Sequence, residues 1–303
     1  MDSRIIMRSI RRAIRLNLED MAAHLLKKHK TYLSKSNILS VIHYMRKCNK
    51  YPIGIVRYVY YESPFRYEYD IQRTKSWTMM FGCEYSYANT VRFLLNDPET
   101  DPDVNNENAL YLASVNGNAS IVLMLLQDPR TDQSGAQQAF RYAAFYGHID
   151  CVKILLADDR AFRSIESSQG IAFTLKLAAA NNNNVAVVRL LLEHLPACDV
   201  EWISYALTNA CYYYSYDVVT VLLEDERVDP SADHNMALRT ACSRNTVGDL
   251  TNVAVVRRLL ADDRVIKKGL ANAISIAEKN RDRDIVDLLR CKLIEFNPYC
   301  TTP

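Results

Sequence analysis

Val228 to Asn245 reads VDPSADHNMALRTACSRN, and Asn252 to Val265 reads NVAVVRRLLADDRV. Asp229-Pro230-Ser231-Ala232-Asp233 holds turn-forming residues that cannot extend a helix. Ala237, Leu238 and Ala241 then recur at helical spacing, and Val255, Val256, Leu259 and Leu260 repeat the pattern after a break. The spacing predicts a unit of turn, helix and helix.

The frame extends in both directions. It reads SYALTNACYYYSYDVVTVLLEDERVDPS from Ser204 to Ser231, AFRYAAFYGHIDCVKILLADDR from Ala139 to Arg160, NALYLASVNGNASIVLMLLQDPRTD from Asn108 to Asp132, and NAISIAEKNRDRDIVDLL from Asn272 to Leu289. A Leu-Leu pair marks each unit at 94–95, 125–126, 155–156, 191–192, 222–223, 259–260 and 288–289, in steps of 31, 30, 36, 31, 37 and 29 residues. A period near thirty is the mark of stacked repeats, each burying its apolar face against its neighbours. Weaker copies at Leu25-Leu26 and Val59-Tyr60 carry the frame into the first eighty residues. The expectation is an all-α solenoid of about nine helical pairs. A divergent basic cap spans 1–78, the array 79–294 and a short tail 295–303.

These residues resemble the ankyrin repeat, a β-turn finger followed by two antiparallel helices. Asn116-Gly117-Asn118 and Tyr146-Gly147-His148 match the family's Gly-His hinge, and Ala143-Ala144 its close-packed alanine pair. The Thr-Pro-Leu-His start is replaced by Ala109-Leu110-Tyr111, Ala139-Phe140-Arg141 and Ala237-Leu238-Arg239. Leu222 to Ser231 resembles the tail of a variant abundant in giant DNA viruses. The resemblance implies a protein-binding scaffold whose concave groove is lined between the alanine pair and the hinge. That frame selects Val115 and Asn116, Phe145 and Tyr146, Tyr212 and Tyr213, and Arg244 and Asn245 as partner-binding residues. Tyr and Arg in such places are frequent interface anchors, although a run such as Tyr212 to Tyr216 also points several ways around a helix.

Two steps are stretched. The extra residues of one fall in Ala161 to Gly170, where they are expected to lengthen a finger; those of the other fall in Asn245 to Asn252, between two helices of a unit. Long surface loops cost little stability, so both insertions are compatible with drift as well as with binding.

Catalysis is not expected. His148, Asp150 and Cys151 are near in sequence, but His148 occupies the hinge, and sequence proximity does not make side chains converge. Asp101 to Leu112 opens like a calcium loop yet has Asn106 where glycine is needed and Leu112 where the bidentate Glu belongs. No phosphate-cradling or dinucleotide-binding glycine motif occurs, and the eight cysteines form neither a zinc pattern nor a disulfide framework. No cofactor or metal is expected. Scattered cysteines predict free thiols in a reducing, intracellular compartment, cytoplasmic or nuclear. The apolar runs, Val185 to Leu192 among them, are too short and too charged to span a bilayer, and Met1-Asp2-Ser3-Arg4 does not open as a secretory leader does.

Charge is divided unevenly. Residues 1–80 hold 16 Lys and Arg against 6 Asp and Glu, and the remainder 21 against 29. Arg4, Arg8, Arg11 and Arg15 recur on one helical face. That stripe is either a solvated cap or a site for an acidic protein, nucleic acid or anionic membrane. The leading expectation is binding of an unidentified protein partner through the groove. The alternatives are binding through the basic third and a structural role in a larger, for example viral, assembly.

Overall fold

The computed structural model describes residues 3–48, 53–63, 71–102, 109–132, 135–166, 170–195, 200–243 and 250–296. The chain forms two compact units, Met1–Ala139 with Ile154–Ala161, and Phe140–Lys153 with Phe162–Pro303. The first contains α1 (Ser3–Arg15) and α2 (Glu19–Lys28), then α3 (Lys35–Cys48) and α4 (Ile53–Arg57), which a π-helical turn Tyr58–Glu62 continues. It goes on with α5 (Ile71–Glu84) and α6 (Ala88–Leu95), then α7 (Ala109–Val115) and α8 (Ala119–Gln127). The division passes through α9 (Ala136–Phe145), α10 (Ile149–Ala157) and α11 (Asp159–Glu166). The second unit continues with α12 (Gly170–Ala178) and α13 (Val185–His194), α14 (Val200–Tyr212) and α15 (Tyr216–Glu224), α16 (Ala232–Ser243) and α17 (Leu250–Leu260), and α18 (Leu270–Lys279) and α19 (Arg283–Glu295).

Among the described residues these helices, α11 aside, make nine successive pairs, and no strand is present. The chain is therefore an all-helical repeat protein, as its period predicts. In the second unit the first helices α12, α14, α16 and α18 stack on one another, and the second helices α13, α15, α17 and α19 form a parallel row. The first unit repeats this with α1 on α3, α5 on α7, and α2, α4, α6 and α8 in succession.

Each leucine pair contributes a side chain to the core. Leu94, Leu125, Leu155, Leu191, Leu222, Leu259 and Leu289 are each fully buried, which stabilises the fold by about 1.5–3 kcal/mol per side chain. In the last unit the buried position belongs to Leu289, not Leu288, so the final step is 30 residues (259 to 289) rather than 29. In the first, Leu26 is the fully buried member.

First helices end alike in six pairs. Asn17, Ser86, Gly117, Gly147, Tyr214 and Arg281 all adopt left-handed backbone, with φ of 58°, 65°, 71°, 80°, 55° and 60°. The next N–H donates back across the turn, from Leu18 to Ala13, Tyr87 to Gly82, Asn118 to Ala113, His148 to Ala143, Ser215 to Ala210 and Asp282 to Ala277, at 2.8–3.1 Å. This is the Schellman closure, which satisfies carbonyls that the helix leaves orphaned.

Four second helices, α8, α10, α15 and α17, end on Asp-x-Arg. The carboxylates of Asp128, Asp158, Asp225 and Asp262 accept from the backbone N–H two residues on, at 2.9–3.1 Å. The arginine then reaches back to the preceding repeat. Arg227 donates to the carbonyls of Leu192 and Leu195 at 2.8 and 2.9 Å, and Arg264 to those of Leu223 and Val228 at 2.7 and 2.8 Å. Arg130 does the same to Leu95, Asp97 and Thr100, and Arg160 to Leu126. Hydrogen bonding to its arginine holds each of the Asp128, Asp225 and Asp262 carboxyls below the usual carboxylate range. A planar fork with five donors thus caps one repeat from the next.

Asp97 begins the same turn, but Glu99 stands where the arginine would be. Here buried Lys75 donates to Asp97 Oδ2 at 2.5 Å, with Tyr61 donating to the same oxygen, and the ammonium lies 5.0 Å from the Tyr61 ring centre. Burial alone would raise the Asp97 carboxyl; the bonds from Lys75, Tyr61 and the Glu99 N–H outweigh it and hold the group at about 2.

The insertions differ from expectation in one respect. Ala161 to Gly170 does not merely lengthen a finger: Asp159–Glu166 is helical, with Ala161 and Ile165 buried, because those two positions are one helical turn apart and both apolar. Of the other insertion, residues 245–249 lie outside the described residues.

Candidate interaction surface

The hinge closure sets two side chains just ahead of each left-handed residue. In α9 these are Phe145 and Tyr146, 37% and 51% exposed, with ring centres 5.1 Å apart in an edge-to-face arrangement. Tyr142 stacks on Tyr146 one turn earlier at 6.4 Å. After α14 the equivalent pair is Tyr212 and Tyr213, 43% and 52% exposed, again edge-to-face at 5.0 Å. Val115 is half-buried, and Asn116 is exposed with its amide donating to the Leu112 carbonyl. Arg244 and Asn245 lie outside the described residues.

Asparagine amides hold several first-helix ends in place, that of α9 among them. Asn184, 1% exposed, donates through its amide to the carbonyls of Ala144, Phe145 and Ala178 at 2.9–3.1 Å. Asn118 and Asn280 make the equivalent bond to Cys83 and Cys242, at 2.5 and 2.9 Å. Phe145 and Tyr146 are therefore presented by backbone that is fixed from the neighbouring repeat, which lowers the ordering cost of contact.

The basic stripe divides. Arg11 bonds Ser40 and Arg15 donates to the Tyr44 hydroxyl at 3.1 Å, so both are engaged with α3. Arg4, Arg8, Arg12 and Arg15 are exposed, beside Ile5 and Leu16 at 56% and 55%. Of the four arginines selected in the sequence, Arg4, Arg8 and Arg15 are exposed and Arg11 is half-buried, with Arg11 and Arg15 bonded to hydroxyls of α3.

A cavity of about 620 Å³ that the repeat frame did not reveal lies between α14 and α16. Glu201, Tyr205 and Thr208 line it from one helix, and Asp229, Asp233 and Met236 from the other side. Beneath it Asp233, His234 and Asn235 take three successive left-handed conformations, which buried Asn235 secures by bonds to the Ile266 and Lys268 carbonyls at 2.6 and 3.0 Å. The sequence signal was the acidic run: residues 189–239 hold nine Asp and Glu against three Arg.

Cys83, Cys151, Cys211 and Cys242 are buried free thiols. Burial pushes the Cys151 thiol up to about 11 and that of Cys242 up to about 12, and raises Cys211 as well. Cys151 is thus a protonated packing residue rather than a nucleophile. Among the described residues no His, Cys, Asp and Glu group is placed to hold a metal ion, and no helix is long and apolar enough to cross a membrane.

The family model for ankyrin repeats, three copies long, matches residues 79–163 and 140–234, together 156 of the 303 residues. No curated protein matches the chain.

Proposed function

The chain belongs to the ankyrin-repeat family, and from that premise we propose that it is a non-catalytic scaffold gripping a protein partner at the exposed ends of its first helices. Ankyrin repeats are in general protein-interaction modules. One observation carries the reading: two edge-to-face aromatic pairs, Phe145 with Tyr146 and Tyr212 with Tyr213, stand exposed at the same position of the repeat. Exposed aromatic rings on fixed backbone are unfavourable in water and favourable as anchors, since each buries a large area with few rotatable bonds. Where function lies in a shape rather than a reaction, the fold itself names no ligand.

The test is affinity capture from native lysate with mass spectrometry, using the full chain and its Phe145→Ala/Tyr146→Ala variant. A specific complex is expected for the former and a loss of roughly 30-fold or more in affinity for the latter, at about 2 kcal/mol for a central aromatic anchor. Complexes that all survive the double substitution overturn the reading.

A further inference from the structure

We propose that the cavity between α14 and α16 seats a cationic side chain, Lys or Arg, that an apolar neighbour accompanies on an extended partner segment. This deepens the protein-binding reading and rests on it. The volume of about 620 Å³ suits a side chain with flanking atoms, within the roughly 300–1,000 Å³ typical of ligand sites.

The lining has two characters. Tyr205 and Met236 are 47% and 38% exposed there, an apolar wall on which a hydrocarbon stem lies at little cost and over whose aromatic face a cation is attracted. Glu201, Asp229 and Asp233 supply carboxylates. Tyr205 donates to Glu201 at 3.3 Å, Ser231 donates twice to Asp229 at 2.7 and 2.8 Å, and Arg239 lies 3.5 Å from Asp233. One arginine against three carboxylates leaves the cavity anionic, within a stretch of net charge −6 (three Arg against nine Asp and Glu). An ionised carboxylate has about four acceptor sites, so these bonds leave capacity for a guanidinium or ammonium. The carboxylates are not gathered as a metal ion would require. An elongated cation with an apolar stem meets both characters of the lining; a bare cation meets only the carboxylates, and an acidic segment is repelled by them.

A random dodecapeptide phage library panned on the immobilised full chain tests the assignment. Selected peptides are expected to carry Lys or Arg beside an apolar residue. In fluorescence anisotropy the Glu201→Gln/Asp233→Asn variant should bind them at least tenfold more weakly, as should Met236→Lys, which supplies the cation from within. Replacing the peptide's basic residue by norleucine should do the same. An unchanged thermal midpoint verifies that each variant is folded. Selected peptides without basic residues, an empty selection, or equal binding by the charge-neutralised variant overturns the proposal. So does sedimentation showing that two copies of the chain pair through this cavity. A lysate complex that needs Phe145 and Tyr146 but ignores Glu201 and Asp233 refutes this inference alone and leaves the broader function standing.

Discussion

Arg281 occupies a backbone conformation that glycine holds at Gly117 and Gly147 in other repeats, with φ of 60° against 71° and 80°. A residue with a Cβ is strained there by about 1 kcal/mol or more, offset in part by the greater chain entropy of unfolded glycine. Arg281 is exposed. Arg281→Gly should therefore raise stability by about 0.5–1 kcal/mol, read as an increased urea midpoint at unchanged slope. The reverse change, Gly147→Ala, should cost about 2 kcal/mol, because a Cβ would lie 2.6 Å from Asn184 Oδ1 as well as straining the backbone. Asp97 adds a pH-dependent residue. Its carboxyl is depressed from 3.8 to about 2, so its contribution is fully present above about 4 and disappears as pH falls through about 2. At neutral pH Asp97→Asn should cost about 2 kcal/mol or more, since it also strips buried Lys75 of its 2.5 Å partner. Acid titration of both proteins by circular dichroism should show the difference shrinking between pH 4 and 2; a constant difference would contradict the assignment.

At the scale of the element, four second helices, α6, α8, α13 and α15, have C-terminal carbonyls capped by an arginine of the repeat that follows. Arg264 caps carbonyls of Leu223 and Val228 while its Asp262 bonds hold the fork in plane. Lysine keeps the charge but cannot present two parallel donors to both carbonyls, so Arg264→Lys should cost about 2 kcal/mol in chemical denaturation, nearly as much as Arg264→Met. Full recovery by lysine would show that charge, rather than the fork, matters. The helix pairs were legible because leucine periodicity is a local pattern whose physical cause, burial against the next repeat, is also repeated. The hinge was legible only at Gly117 and Gly147; Ser86, Tyr214 and Arg281 adopt the same turn without glycine because tertiary packing fixes it. Likewise the aromatic ends could be selected from position in the repeat, whereas the acidic cavity joins Glu201 to Asp233 across 32 positions (233 minus 201), a juxtaposition that no local motif encodes. Helix α11 was missed because its apolar turn, Ala161 and Ile165, is too short to stand out as a period.

In a stacked array stability is nearest-neighbour in character: loss of one interface loosens the adjoining repeats before it is felt further away. The arginine forks make this coupling directional, since each reaches from one repeat to the one before it. The buried cysteines then acquire a use unrelated to packing. Cys83, Cys151, Cys211 and Cys242 place one unreactive sulfur in each of four repeats, while Cys291 is exposed from the outset. Timed alkylation followed by peptide mass spectrometry should modify Cys291 at once and the four others only as their repeats open. Arg264→Lys should accelerate Cys242 and Cys211 several-fold and leave Cys83 within about twofold of its original rate, in line with local rather than global opening. Uniform acceleration of all four would instead mark the chain as one cooperative block. The protein carries its own set of clocks, each timing the breathing of a single repeat without any foreign label.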